Sequence, residues 1–215
     1  MKKILFVRPW GIGNVIMATP ALLALKKLYP DSIIDFLGTE PGIQAIRGCP
    51  LIREALLENP IKEEYNLAFQ CHPGTRYWPF YNCDKNIFFE KDNYEINEVR
   101  SNLDLVARLG DIGDYAQYKP FFYMPEDDPE FLLLTPSYLN NVAINIGPGK
   151  DDRNLSGRKK WDLERWIKII EHLIFKKYCI ILLGTLDQKA KYSEIIKRFP
   201  VDHVYDYSGL TTLRQ

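Results

Sequence analysis

Thirty-odd residues near the start of the chain restrict the fold more than any others. Ile4–Val7 is a short unbroken apolar run of the kind that forms a buried parallel strand. A turn carrying Gly11 and Gly13 follows. Val15, Ile16, Ala18, Ala21, Leu22, Leu25 and Leu28 then recur at helical spacing, until Tyr29-Pro30-Asp31 ends the pattern. Ile33–Leu37 reads as a second strand, closed by Gly38. A strand, a helix and a strand joined this tightly require a right-handed crossover and a parallel sheet. Pro20 lies inside the helical pattern and predicts a kink, or a short first turn ahead of the main helix.

The pattern repeats downstream. Gly42–Arg47 reads as a short helix, Asn66–Gln70 as a strand running into Cys71-His72-Pro73-Gly74, and Asn86–Phe89 as another strand. An aromatic loop, Tyr77–Tyr81, lies between the last two and reads as packing in preference to a sugar-facing surface. Ile96–Leu109 reads as a strong helix with Val99, Leu103, Val106 and Leu109 on one face and Gly110 at its C′ position. Phe121–Met124 reads as a last strand before a Pro- and Asp-rich linker. The spacing therefore predicts a first domain over 1–125, a linker over 126–140 and a second domain over 141–215. That second part begins with a strand over Val142–Ile146, then Gly147-Pro148-Gly149 and a polar stretch. Next come a helix capped by Asp162, a strand over Cys179–Leu183, a helix over Lys189–Phe199 and a short strand over His203–Tyr205.

Charge excludes several functions. Lys+Arg 28 balances Asp+Glu 28, so the chain lacks the basic excess that phosphate-backbone binding needs. The four cysteines show no CxxC spacing and read as reduced thiols. His72, His172 and His203 are not spaced with Cys or carboxylates as a metal set. No GxSxG and no Walker A loop occurs.

Both glycine turns follow a strand and precede a helix. Glycines there let backbone N–H groups at a helix N-terminus approach a guest, and the helix dipole favours an anionic or hydroxyl-bearing one. Gly11-x-Gly13, with Glu40 beyond the second strand, is also half of a dinucleotide fingerprint, with Ile16 where the third glycine belongs. After the second turn, Arg153, Arg158, Lys159 and Lys160 supply charge suited to a diphosphate.

These segments resemble glycosyltransferase family 9, the ADP-heptose:lipopolysaccharide heptosyltransferases. The resemblance rests on "KILFVRPWGIGNVIMATPALLALKKLYPDSIIDFLGT", "EVRSNLDLVARLG", "INIGPG", "RKKWDLERW" and "IILLGTLDQK", in that order across nearly the whole chain. It implies an α/β GT-B-like architecture, with an N-terminal Rossmann-like parallel-sheet domain, a second Rossmann-like domain and an active site in the cleft between them. It implies inverting, metal-independent transfer of a heptose-type sugar from a nucleotide diphosphate, ADP-heptose, to a lipopolysaccharide core hydroxyl. No further cofactor is implied. Lys159 matches the family's lysine in Lys-x-Trp and is the donor-phosphate residue, with Gly147, Gly149, Ser156 and Gln188 around the donor. Gly11, Gly13 and His72 fall on the acceptor side.

The sequence departs from the family in three places. Asn14 stands where the family has an aspartate base, and a carboxamide cannot take up a proton. The acidic nucleoside contact falls on Gln188, with Asp187 beside it. Only 75 residues (215 − 140) follow the linker, which predicts an incomplete, C-terminally truncated second domain. The leading expectation is thus a cytoplasmic glycosyltransferase, peripheral at the inner face of the inner membrane, with nucleotide sugar and glycan as its partners and nucleic acid excluded. The alternative is a non-catalytic nucleotide- or glycan-binding remnant of the same fold. An NAD-dependent oxidoreductase, resting on the Gly pair and Glu40, is a third.

Overall fold

A computed structural model describes residues 1–57, 63–71, 83–87, 97–123, 140–147, 161–200 and 202–211. The chain divides into two units, Met1–Pro125 and Glu126–Gln215. Among the described residues unit 1 holds five strands, β1 (Lys3–Val7), β2 (Ile33–Leu37), β3 (Glu54–Leu56), β4 (Tyr65–Gln70) and β5 (Cys83–Ile87). All pairings are parallel, in the order β3-β2-β1-β4-β5. The chain thus builds outward from β1 in one direction, then returns to place β4 on its other side. β1 sits in the middle, buried on both faces, as its unbroken apolar run requires.

On one face, Phe6 is in register with Phe36 of β2 and Phe69 of β4. The three rings form a stacked row with centroids 5.8 and 5.5 Å apart. Helices α1 (Ile12–Leu28), α2 (Glu40–Ile46) and α3 (Glu98–Ala107) contribute to the core around that row. Burying a side chain of that size contributes roughly 1.5–3 kcal/mol, so the row fixes the middle of the sheet. The other face buries Leu5, Val7, Leu37, Tyr65 and Ala68.

Pro20 neither breaks α1 nor splits off a first turn; the helix is one element from Ile12 to Leu28. The residue at position 20 would normally donate its N–H to the carbonyl of Ile16. The Thr19 hydroxyl donates to that carbonyl instead, at 2.8 Å. Gly110 also differs from expectation. Its backbone is not left-handed, and a Cβ there would come within 2.9 Å of Leu28, so close helix packing is what requires glycine. Phe121–Tyr123 form no strand, although the Phe121 N–H donates to Thr19 Oγ1 at 2.9 Å. β3 has no counterpart in the sequence reading.

Unit 2 has a three-stranded parallel sheet, β6 (Asn140–Ile144), β7 (Tyr178–Leu182) and β8 (Val204–Asp206), in that order. Helix α4 (Leu163–Phe175) lies between β6 and β7 in sequence, and α5 (Lys189–Ile196) between β7 and β8. Asp162 caps α4, accepting from the Glu164 N–H at 3.2 Å, as the sequence predicts. Ile144, Ile167, Ile170, Ile180, Leu182, Tyr192 and Ile195 form a core of their own. Among the described residues all four cysteines are free thiols.

Candidate functional site

In an open parallel sheet, ligands bind beyond the carboxyl ends of the strands where the order reverses. In unit 1 that point lies between β1 and β4. Cys71 closes β4 there, its N–H donating to the Val7 carbonyl at 3.0 Å. His72, expected on the acceptor side because it ends a strand at the ligand edge of the sheet, comes next in sequence but lies outside the described residues.

The turn leaving β1 is held from several directions. Trp10 takes a left-handed conformation, φ 86°, which costs a non-glycine residue roughly 1–3 kcal/mol and persists only when its surroundings impose it. Here Thr39 Oγ1 donates to the Trp10 carbonyl at 2.7 Å. That carbonyl packs so closely on α2 that a Cβ on Gly42 would lie 2.7 Å from it. Trp10 was not singled out from the sequence; only a backbone angle reveals it.

Gly11 is the N-cap of α1 and supplies no side-chain cap. Asn14 occupies the same first turn, half-buried, its N–H directed at the Gly11 carbonyl at 3.1 Å. Gly11 and Gly13 have ordinary negative φ. A Cβ on either would meet nothing within 4 Å. Neither conformation nor packing within the described residues demands glycine here. The turn is an open cradle at the positive end of a 17-residue helix with no acid in its first turn.

Beneath it lies Arg8, whose side chain is fully buried. Its Nε donates to the Asn14 carbonyl at 3.1 Å, and its Nη2 donates to Glu98 Oε1 on α3. Nη1 is buried and has no hydrogen-bond partner among the described residues. Burial pulls the guanidinium below its ordinary pKa, and the Glu98 charge partly restores it. Burial also pushes the neighbouring Cys71 thiol far up, which favours its neutral form. Asn97 caps α3, its Oδ1 accepting from the Val99 N–H at 2.9 Å, and this sets Glu98 at the first helical position.

Glu40 is exposed in the first turn of α2, facing Arg47 at 4.0 Å.

In unit 2 the turns after β6 and β7 meet on Gln188. Its Oε1 accepts from the Thr185 N–H at 3.0 Å, closing a capping box at the mouth of α5. A Cβ on Gly184 would fall 2.2 Å from Oε1, and one on Gly147 would fall 2.5 Å from Nε2. Gln188 is therefore a buried wedge between two glycine turns. Tyr192 adds a second tie, donating to the Leu183 carbonyl at 2.7 Å and accepting from the Ile146 N–H at 3.3 Å. Gly149, Ser156 and Lys159 lie outside the described residues. Among those described, no group of three His, Cys, Asp or Glu could hold a metal ion. No described helix is long and apolar enough to cross a membrane.

No protein-family model matches the sequence, and neither does any curated protein. Solved structures do match. A glycosyltransferase of family 9 from Veillonella parvula superimposes with a TM-score of 0.75 at 16% identity, over 99% of this chain and 70% of its own. The E. coli ADP-heptose lipopolysaccharide heptosyltransferase II gives 0.67 at 15% identity, over 100% of this chain and 74% of its own. The E. coli heptosyltransferase WaaC with ADP gives 0.65 at 14% identity, over 98% and 75%. The fold is the α/β, GT-B-like fold of these heptosyltransferases, which the motif series predicts.

Proposed function

We propose that the chain is a glycosyltransferase that moves a heptose-type sugar from ADP-heptose to a hydroxyl of a lipopolysaccharide core, with inversion and without a metal. The observation that carries this reading is the open glycine cradle at the β1/β4 switch point, on a fold shared with a family 9 glycosyltransferase and an ADP-heptose lipopolysaccharide heptosyltransferase. Unit 1 binds the acceptor at Gly11, Gly13 and His72, and Asn14 orients its hydroxyl. Unit 2 binds the donor at Gly147, Gly149 and Ser156, with Gln188 bracing the turns. Lys159 neutralises the charge that develops on the departing diphosphate, as a metal would elsewhere. The work is cytoplasmic, at the inner face of the inner membrane where lipid-linked acceptors are presented.

The direct test incubates the protein with ADP-heptose and a heptose-deficient core, following ADP release and the mass gained by the glycan. Equal yields of ADP and extended glycan are expected. ADP binding without turnover on any nucleotide sugar rejects transfer. It would favour a second reading, a nucleotide- or glycan-binding module, to which Asn14 in place of an acid lends support.

A further inference from the structure

The site around Asn14 does contain a carboxylate, contributed by a different element. Arg8 grips the first turn of α1 and Glu98 at once, the one through Nε and the other through Nη2. Glu98 is thereby held one guanidinium away from the Asn14 carbonyl, beside the end of β1. Arg8 directly follows β1, whose last carbonyl, that of Val7, accepts from the Cys71 N–H just beyond β4, so Arg8 lies at the switch point. The two partners differ in exposure. The Arg8 side chain is 0% exposed and that of Glu98 is 37% exposed. Arg8 occupies Oε1; among the described residues Oε2 has no partner.

A purely structural counter-ion for a buried arginine need not itself be exposed, yet the Glu98 side chain is partly exposed. Asn97 and Arg8 fix the position of this one, by the cap and by the ion pair. A carboxylate held this way, with one oxygen anchored and its side chain partly exposed, has the arrangement a general base needs.

We propose that Glu98 is the general base of the transfer reaction, replacing the carboxylate that Asn14 lacks. This rests on the sugar-transfer reading above. The acceptor hydroxyl gives its proton to Glu98 Oε2, and its oxygen forms a bond to the anomeric carbon. The bond from that carbon to the diphosphate oxygen breaks, and the electron pair leaves with the nucleotide diphosphate. Asn14 orients the attacking hydroxyl.

The test uses the full chain, ADP-heptose and heptose-deficient core, with ADP titrated calorimetrically alongside. Glu98→Gln keeps an acceptor for Arg8 and removes the base. The expected result is a fall in kcat of about a hundredfold or more, with ADP affinity within twofold of the parent. Retention of kcat within fivefold overturns the assignment and leaves the transfer reading intact. A parent chain that turns over no nucleotide sugar overturns both. Should Glu98→Gln shift the urea midpoint, Asn14→Asp in the same chain decides. A recovery of tenfold or more supports a missing base, and no recovery overturns it.

Discussion

The Thr19 hydroxyl donates to the Ile16 carbonyl at 2.8 Å, and that is the carbonyl Pro20 cannot serve. The same oxygen accepts from the Phe121 N–H at 2.9 Å, so one buried hydroxyl mends α1 and fastens the segment beyond α3 to it. Thr19→Val leaves a partly buried carbonyl and a partly buried N–H without this partner, at up to about 1–3 kcal/mol for such groups. Pro20→Ala restores an N–H for Ile16 and should recover more stability in the Thr19→Val chain than in the parent. Urea unfolding of the four chains measures that coupling; additive effects would refute the repair.

Gly11→Ala and Gly13→Ala should separate stability from function. Neither Cβ meets an obstacle, and Gly13 is inside a helix, where alanine gains roughly 0.5–1 kcal/mol over glycine. The thermal midpoint should hold or rise for Gly13→Ala and fall slightly for Gly11→Ala, alanine being a poorer N-cap than glycine, while transferase turnover falls in both if the acceptor docks at this turn as proposed. Unchanged turnover in both variants would mean that the cradle is not a binding surface.

Gly184→Ala should destabilise unit 2 by about 1–3 kcal/mol, the usual cost of overpacking. The added methyl presses on Gln188 Oε1 and on Tyr192 Oη, both engaged in hydrogen bonds. Gln188→Ala in the same chain should return part of the loss. Denaturant midpoints followed by the tryptophan pair Trp161–Trp166, 5.3 Å apart, report on this unit.

Alkaline pH should weaken the fold. Burial first, then the hydrogen bond donated to Asp35, raises the pKa of Tyr65. Burial raises those of Tyr192 and Cys71. In the unfolded chain these groups ionise near about 8.5 for cysteine and 10 for tyrosine. Above those values the unfolded state binds fewer protons than the native state, so stability present at neutral pH falls as pH rises. Urea midpoints from pH 8 to 11 should decline, and Tyr65→Phe should flatten the decline above pH 10. A midpoint level across that range would contradict the assignment.

The sequence carried the β1–α1–β2 unit openly, because apolar runs and helical spacing are local signals. It misjudged Pro20, since the compensating hydroxyl sits one residue away and no periodicity records it. β3 escaped because three residues, Glu54–Leu56, become a strand only through their register with Asp35–Leu37. The cradle was legible from Gly11 and Gly13, but not the reason for it, which is the empty space around both. Glu98 was hidden in a helix read as beginning at Ile96. The available signal was Asn97, a good cap followed by an acid. Its partner Arg8 is ninety residues distant, beyond any local pattern.

The central place of β1 also governs how the protein is made. During synthesis β1 acquires its second neighbour only when β4 emerges, roughly sixty residues later. At ordinary synthesis rates that is a delay of roughly 3 to 12 s. Throughout it, one whole flank of Ile4–Val7 has no partner strand. Nascent chains stalled before Tyr65 should therefore recruit holding chaperones that chains stalled after α3 release.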